Sequence, residues 1–382
     1  MHHPQLDGIR GIMAWWVVIG HLVNYFGASH LATNDILIRV LTLTSLPVDI
    51  FICISGFVIF AALSKRDPMA EYATNRFFRI YPVYFLILIV AIASEPFRLA
   101  GMQAADWVFD FGKAPHAVTE VAGLNHIAHI VLHLLLLHGA VPDQILLGSG
   151  DKFIGPAWSL SLEWQFYVIA PLLYMAGRHS LRTLLFSLLG LVATKAALYH
   201  AGLSFSYGGF LPLKIEMFSL GMMSFYFASP PPEKQGGRTL NGALLLLILA
   251  VGALYAPYNK ATLLAYLAWG IISLTLLPQT RGNFHAAVLC RFMSAKPLVY
   301  IGTRSYSTYL LHLPLIQLLS FIALRYDQIP TAPTPVFMAW FSLVAISLTA
   351  TLSVILYNQI EKPFMRAGKN LNLKRRQRQA SE

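Results

Sequence analysis

"HIAHIVLHLLLLHGAVPDQILL", residues 126–147, is the run on which the topology of this 382-residue chain turns. It is long enough to cross a bilayer core about 30 Å thick, which takes about 20 helical residues. Against a crossing stand four histidines, His126, His129, His133 and His138, together with Pro142. Ten other runs are better candidates: 9–27, 36–63, 80–99, 157–177, 181–201, 208–228, 240–256, 261–279, 297–320 and 334–358. With ten spans the termini share a side. Six basic residues, Arg39, Arg98, Lys113, Lys152, Lys260 and Arg325, then fall on the other side, and Lys195, Lys214 and Arg304 fall within spans. The remaining nineteen of the 28 lysines and arginines lie on the side of the termini. That asymmetry makes the termini cytoplasmic. Counting 126–147 as a further span would carry the basic tail "KNLNLKRRQR" (369–378) outside, so the run is read as re-entrant or interfacial.

Composition agrees with this all-α, polytopic reading. Apolar residues make up 56% of the chain and charged residues 12%, outside the range of a soluble domain. The two cysteines, Cys53 and Cys290, make no disulfide framework. No cleavable leader precedes the run starting near Ile9, which is read as the first retained helix. The net charge of +11 restates the loop asymmetry, and attraction of a basic tail to anionic lipid accounts for residues 365–382 without nucleic acid. No internal repeat is evident, and "SPPPEKQGG" (229–237) reads as a loop, leaving one membrane domain over 1–364.

The first span, "LDGIRGIMAWWVVIGHLVNYF" (6–26), carries Asp7, Arg10 and His21. On one unbroken helix, Arg10 and His21 point within about 20° of each other and lie about 16 Å apart along the axis. Arg10 then sits at the cytoplasmic mouth and His21 about 18 Å into the core. Glu163, in a span running the other way, comes out about 21 Å above the inner edge, with His312 at a similar height. Ionisable groups inside a membrane cost several kcal/mol unless they face a partner or cavity, so these residues mark a polar path. A histidine that only ties helices together has no need of an arginine on its face, which singles out His21.

At the cytoplasmic side, "NRFFRIYP" (75–82) sets Arg76 and Arg79 three apart. With Arg10, they put three guanidiniums at helix N-terminal ends, a combination suited to phosphate. In "GPAWSLSLEWQFYVIAPLLY" (155–174), Trp158, Trp164 and Tyr167 fit an interfacial aromatic belt, whereas Glu163 does not. A carboxylate at that depth can orient a histidine, accept from a sugar hydroxyl or pair with Lys214. His126, His129 and His133 form a helical stripe, but no cysteine completes a ligand set and no metal is expected.

"LDGIRGIMAWWVVIGH", "VDIFICISGFVIF" (48–60), "RFFRIYP" (76–82), "PAWSLSLEWQFY" (156–167), "IGTRSYSTYLLHLPL" (301–315) and "IEKPF" (360–364) resemble, in order, the signature segments of the acyltransferase-3 family of integral membrane acyltransferases. The resemblance covers nearly the whole chain. It implies a ten-helix domain of the bacterial cytoplasmic (inner) membrane that takes an acyl group, most often acetyl, from cytoplasmic acyl-CoA. The acceptor it implies is a hydroxyl of a cell-surface polysaccharide or lipid-linked glycan. The family's first-helix arginine and histidine fall on Arg10 and His21, its RxxR pair on Arg76 and Arg79, and its SLE glutamate on Glu163. Some members carry an appended SGNH hydrolase-type domain. This chain ends about twenty residues after "IEKPF", so it is expected to act alone or to hand its acyl group to a separate protein. In this reading the arginines hold acetyl-CoA, His21 acts as base or transient acyl carrier, and Glu163 orients the imidazole or the acceptor. A multi-helix transporter of an anionic or glycan substrate is the alternative that mid-depth charges also fit.

Overall fold

The structure, a computed structural model, describes residues 3–27, 36–65, 67–105, 108, 125–228, 238–256, 259–276 and 283–381. Lys113 and the "SPPPEKQGG" loop lie outside the described residues. Every regular element among them is helical. The first part of the chain forms α1 (Pro4–Tyr25), α2 (Ile36–Thr42), α3 (Ser45–Leu63), α4 (Met69–Ala93), α5 (Glu95–Met102) and α6 (His126–Leu134). There follow α7 (Trp158–His179), α8 (Leu181–His200), α9 (Ile215–Ala228), α10 (Arg238–Leu254), α11 (Asn259–Leu274) and α12 (Phe284–Met293). The last elements are α13 (Lys296–Gly302), α14 (Ser305–Arg325), α15 (Pro335–Leu356), a π-helical turn over Tyr357–Glu361, and α16 (Lys362–Ser381).

Six stretches are long and apolar enough to cross a membrane: α1, α3, α4, α8, α14 and the continuous run from Pro335 to Gln379. Three more expected spans appear as shorter apolar helices, α9, α10 and α11, and 157–177 appears as the 22-residue α7. Three boundaries differ from the sequence expectation. The run 36–63 breaks between α2 and α3 at Leu43–Thr44, just ahead of Pro47, whose missing N–H suits the first turn of a new helix. The run 297–320 breaks at Thr303–Arg304, and helix in 208–228 starts only at Ile215.

The decisive run 126–147 does not form a spanning helix. Its helical part, α6, is nine residues long, about 14 Å, less than half the bilayer core. Tyr81 and Tyr84 of α4 pin its end, donating to the carbonyls of Leu134 (3.2 Å) and His133 (2.9 Å). The His133 and His138 rings then stack at 4.1 Å beneath turns that lead back to α7.

Close backbone approach sets α1 against the segment before α14. A Cβ on Gly8 would overlap the Met293 carbonyl, and one on Gly302 would overlap the Asp7 carbonyl. Small residues at such crossings let helices meet at backbone distance, which holds membrane helices together without a hydrophobic driving force. Gly56 and Gly221 do the same for α3 and α9. Buried charges elsewhere are paired: Lys214 with Asp49 at 2.7 Å and Lys195 with Glu216 at 2.8 Å. The last helix turns back along α4, where Arg376 grips Glu71 through both carboxylate oxygens at 2.6 and 2.7 Å.

Candidate active site

α1 is unbroken from Pro4 to Tyr25, so Arg10 and His21 do share one face. The other expected residues arrive from α4 (Arg76, Arg79) and α7 (Glu163), and they meet around Tyr167, one turn along α7 from Glu163. The Tyr167 hydroxyl donates to Glu163 Oε1 at 2.6 Å, and Ser55 Oγ of α3 donates to the same oxygen at 2.6 Å. Arg76 stands with its guanidinium carbon 5.7 Å from the centre of the Tyr167 ring. Arg10 lies within electrostatic reach of Arg79, Asp7, Glu163 and Tyr167, and Arg79 within reach of Tyr167 and Glu163. Three guanidiniums therefore converge on one phenol and one carboxylate.

Each arginine is anchored on one side and open on another. Arg10 Nη1 is 3.4 Å from Asp7 Oδ1. Arg79 Nη1 is 3.2 Å from Glu361 Oε1 and 3.2 Å from Met365 Sδ, while Ser307 holds the other Glu361 oxygen at 2.7 Å. Its Nε and Nη2 make no hydrogen bond among the described residues, and its side chain keeps 31% exposure. Arg76 Nε is buried without a partner among the described residues. Buried donors are nearly always satisfied, so this group of unfilled N–H groups is suited to an anion that arrives from outside the chain.

Further along the path, the His21 and His312 rings lie 5.2 Å apart, tilted by 37°. His312 Nδ1 is 2.7 Å from the Tyr309 carbonyl, which must receive a proton from it, so in the neutral ring Nε2 carries the lone pair. Among the described residues that Nε2 is buried with no partner, and so is His21 Nδ1. Two imidazoles with unfilled nitrogens side by side can accept and pass on a proton.

Glu163 neither hydrogen-bonds His21 nor pairs with Lys214, which is taken by Asp49. Its bonds to Ser55 and Tyr167 make it the counter-charge of the arginine group. The stripe at 126–133 also disperses. His126 lies 3.8 Å from Glu95, whereas His129 and His133 are buried. Among the described residues no group of three His, Cys, Asp or Glu side chains could hold a metal. Sequence reasoning missed Tyr167, Ser55, Ser307 and Glu361. The Glu163–Tyr167 spacing, four residues on a helix, was the available signal for the first of them.

The chain is thus a helical membrane protein with cationic donors at one level and paired imidazoles at another. Residues 3–358 match the acyltransferase domain of the acyltransferase-3 family, and the chain belongs to it. It is 24% identical to the acyltransferase MdmB of Streptomyces mycarofaciens, with 82% of this chain and 79% of that protein aligned. It is 25% identical to the peptidoglycan O-acetyltransferase OatA of Listeria monocytogenes, over 96% of this chain and 56% of the relative. No solved structure matches.

Proposed function

We propose that the chain is an O-acyltransferase of the bacterial cytoplasmic membrane. It moves an acyl group, acetyl in the first instance, from cytoplasmic acyl-CoA to a hydroxyl of a surface polysaccharide or lipid-linked glycan. The observation that carries this reading is the convergence of Arg10, Arg76 and Arg79, with unfilled N–H groups, below His21, which shares the α1 face of Arg10 and lies beside His312 of α14. Acyl-CoA has that shape, with a polyanionic head and a long thin arm that ends in a thioester. The name of OatA supports the acetyl group and a glycan acceptor.

The chemistry balances without a metal. His21 takes the proton of the acceptor hydroxyl as its oxygen attacks the thioester carbonyl. The C–S bond breaks, and the departing thiolate recovers the proton from the imidazolium, so one ester and one free CoA thiol result. Alternatively, His21 carries the acyl group briefly. His312 stands beside His21 to share the proton, and Glu163 with Ser55 and Tyr167 sets the potential around the arginines.

Thiol release tests the reading. Purified protein given acetyl-CoA is expected to liberate free CoA slowly by transfer to water and faster with a glycan acceptor, detected with a thiol reagent, and His21→Ala is expected to stop both. A transporter would release none, and thiol release by His21→Ala at the parental rate would remove the proposal.

A further inference from the structure

α7 has a second functional end. Tyr167, where the arginines converge, stands near its middle. At its N-terminus, about 14 Å along the axis from Tyr167, stands Trp158. Its ring is stacked with that of Tyr207 at 6.2 Å between centroids and 18° between planes. Tyr207 is 52% exposed. Its hydroxyl bonds the Asp151 carboxylate, in the turn between α6 and α7.

The loop that presents Tyr207 is built rather than loose. Tyr207 has φ 58° and Gly208 φ 77°, both in the left-handed region, which a bulky side chain seldom adopts. Such conformations persist where the surroundings over-determine them, and they collect at functional sites. Here the surroundings are explicit. Gln165 of α7 donates to the Gly209 carbonyl at 2.8 Å and accepts from Leu211 N at 3.0 Å. Asp143 N donates to the Ser204 carbonyl at 2.9 Å. An interfacial aromatic belt needs none of this, because belt residues face lipid with a free polar tip.

The platform also connects to the imidazole pair. His312 bonds the Tyr309 carbonyl, the Tyr309 hydroxyl donates to the Pro156 carbonyl at 2.9 Å, and Ser159 Oγ is 2.9 Å from that hydroxyl. Ser159 is the neighbour of Trp158, and Glu163 lies between the two ends of the helix. α7 thus passes the arginine group at Tyr167, near its middle, and begins at the stacked rings and carboxylate, which are linked through Tyr309 to His312.

The geometry points to Trp158, Tyr207 and Asp151 as the acceptor subsite, a platform for one sugar ring: the aromatic faces take its C–H face and the carboxylate accepts from its hydroxyls. This rests on the acyl-transfer reading above and assigns the acceptor a class and a place. The donor enters from the arginine end and the sugar from the opposite end.

The test separates acceptor from donor. Cells lacking the gene are complemented with the parental chain, His21→Ala, Tyr207→Ala or Tyr207→Phe at equal protein level in the membrane, and alkali-labile acyl groups on surface glycan are measured. The same purified chains are titrated with CoA. Tyr207→Ala is expected to lower glycan acyl by about tenfold, the loss of one stacked contact, with CoA affinity unchanged. Tyr207→Phe keeps the ring and is expected to retain most of the acyl. Parental acyl levels with Tyr207→Ala would overturn the subsite. A parallel loss of CoA affinity would overturn it too, because the loop would then be only structural. Equal acyl in parental and His21→Ala cells would remove the function proposed above, and the subsite with it.

Discussion

At the scale of single residues, the site is marked by nitrogens that no described residue satisfies. His21 Nδ1 and His312 Nε2 lack partners at one level, and Arg76 Nε lacks one at another. Loss of a general base typically costs about 10²–10⁴ in rate. His21→Ala is therefore expected to reduce CoA release by that range while its CoA dissociation constant stays parental. Arg79→Ala should do the reverse, weakening CoA by about tenfold or more as a charge-assisted phosphate contact is lost. Isothermal titration and thiol release on the same two purified variants check both. Asp151 offers a pH handle outside the spanning helices, because burial pushes its carboxyl up to about 6. Above that pH it is ionised and accepts from Tyr207 and, in the acceptor reading, from the sugar. Glycan acylation is expected to fall as pH drops through about 6, and Asp151→Asn should flatten that limb. Unfolding at this group would not mimic the effect. Its folded value lies above the ordinary 3.8, so protonation between those values favours the folded state.

At the scale of elements, glycines decide which helices can touch. The Asp7 carbonyl fills the space a Cβ would need at Gly302, and both partners there are backbone, which cannot swing aside. Gly302→Ala is expected to cost about 1–3 kcal/mol, the range for overpacking, and to shift α1 and hence Arg10. A lowered thermal midpoint with weakened CoA binding would be the signature. Gly190→Ala, with nothing within 4 Å of the added carbon, is the control: it should leave CoA binding unchanged and the thermal midpoint unlowered, since Ala favours a helix interior over Gly. What the sequence made legible follows the same physics. The registers of Arg10 with His21 and of Arg76 with Arg79 were readable, because helical periodicity fixes direction once a span is recognised. The level shared by His21 and His312 was readable from counting residues. The breaks at Leu43–Thr44 and Thr303–Arg304 were not, since hydropathy stays high through them and only backbone hydrogen bonding ends. Tyr167, Ser55 and Glu361 escaped because their importance comes from neighbours brought by other helices. An aromatic residue near a membrane edge has an adequate ordinary explanation until its partners are known.

At the scale of the whole molecule, sidedness ties the chemistry to the cell. α7 has 22 residues and is about 33 Å long, the thickness of the hydrocarbon core, although it is not among the six stretches apolar enough to count as spans, and the proposed topology puts its two ends in opposite compartments. Arg178 and Arg182 follow one end, and the turn holding Ile145 and Asp151 precedes the other. The basic-residue asymmetry is the ground on which we propose that the Arg178 end is cytoplasmic. On the function and acceptor site proposed above, cytosolic acyl-CoA would reach Arg10, Arg76 and Arg79, and the Trp158 platform would open outward to a surface glycan. Ile145 is 72% exposed and Arg178 is exposed, so each tolerates a probe. Cys290 is replaced by serine first, since it is partly accessible, whereas Cys53 is buried. In intact cells, an impermeant maleimide is expected to label Ile145→Cys and to spare Arg178→Cys, which should react only after the membrane is permeabilised. The reverse pattern would put the arginine group on the outer face, where no cytosolic acyl-CoA arrives. In that event the donor assignment falls, even if every contact around Tyr167 stands as described.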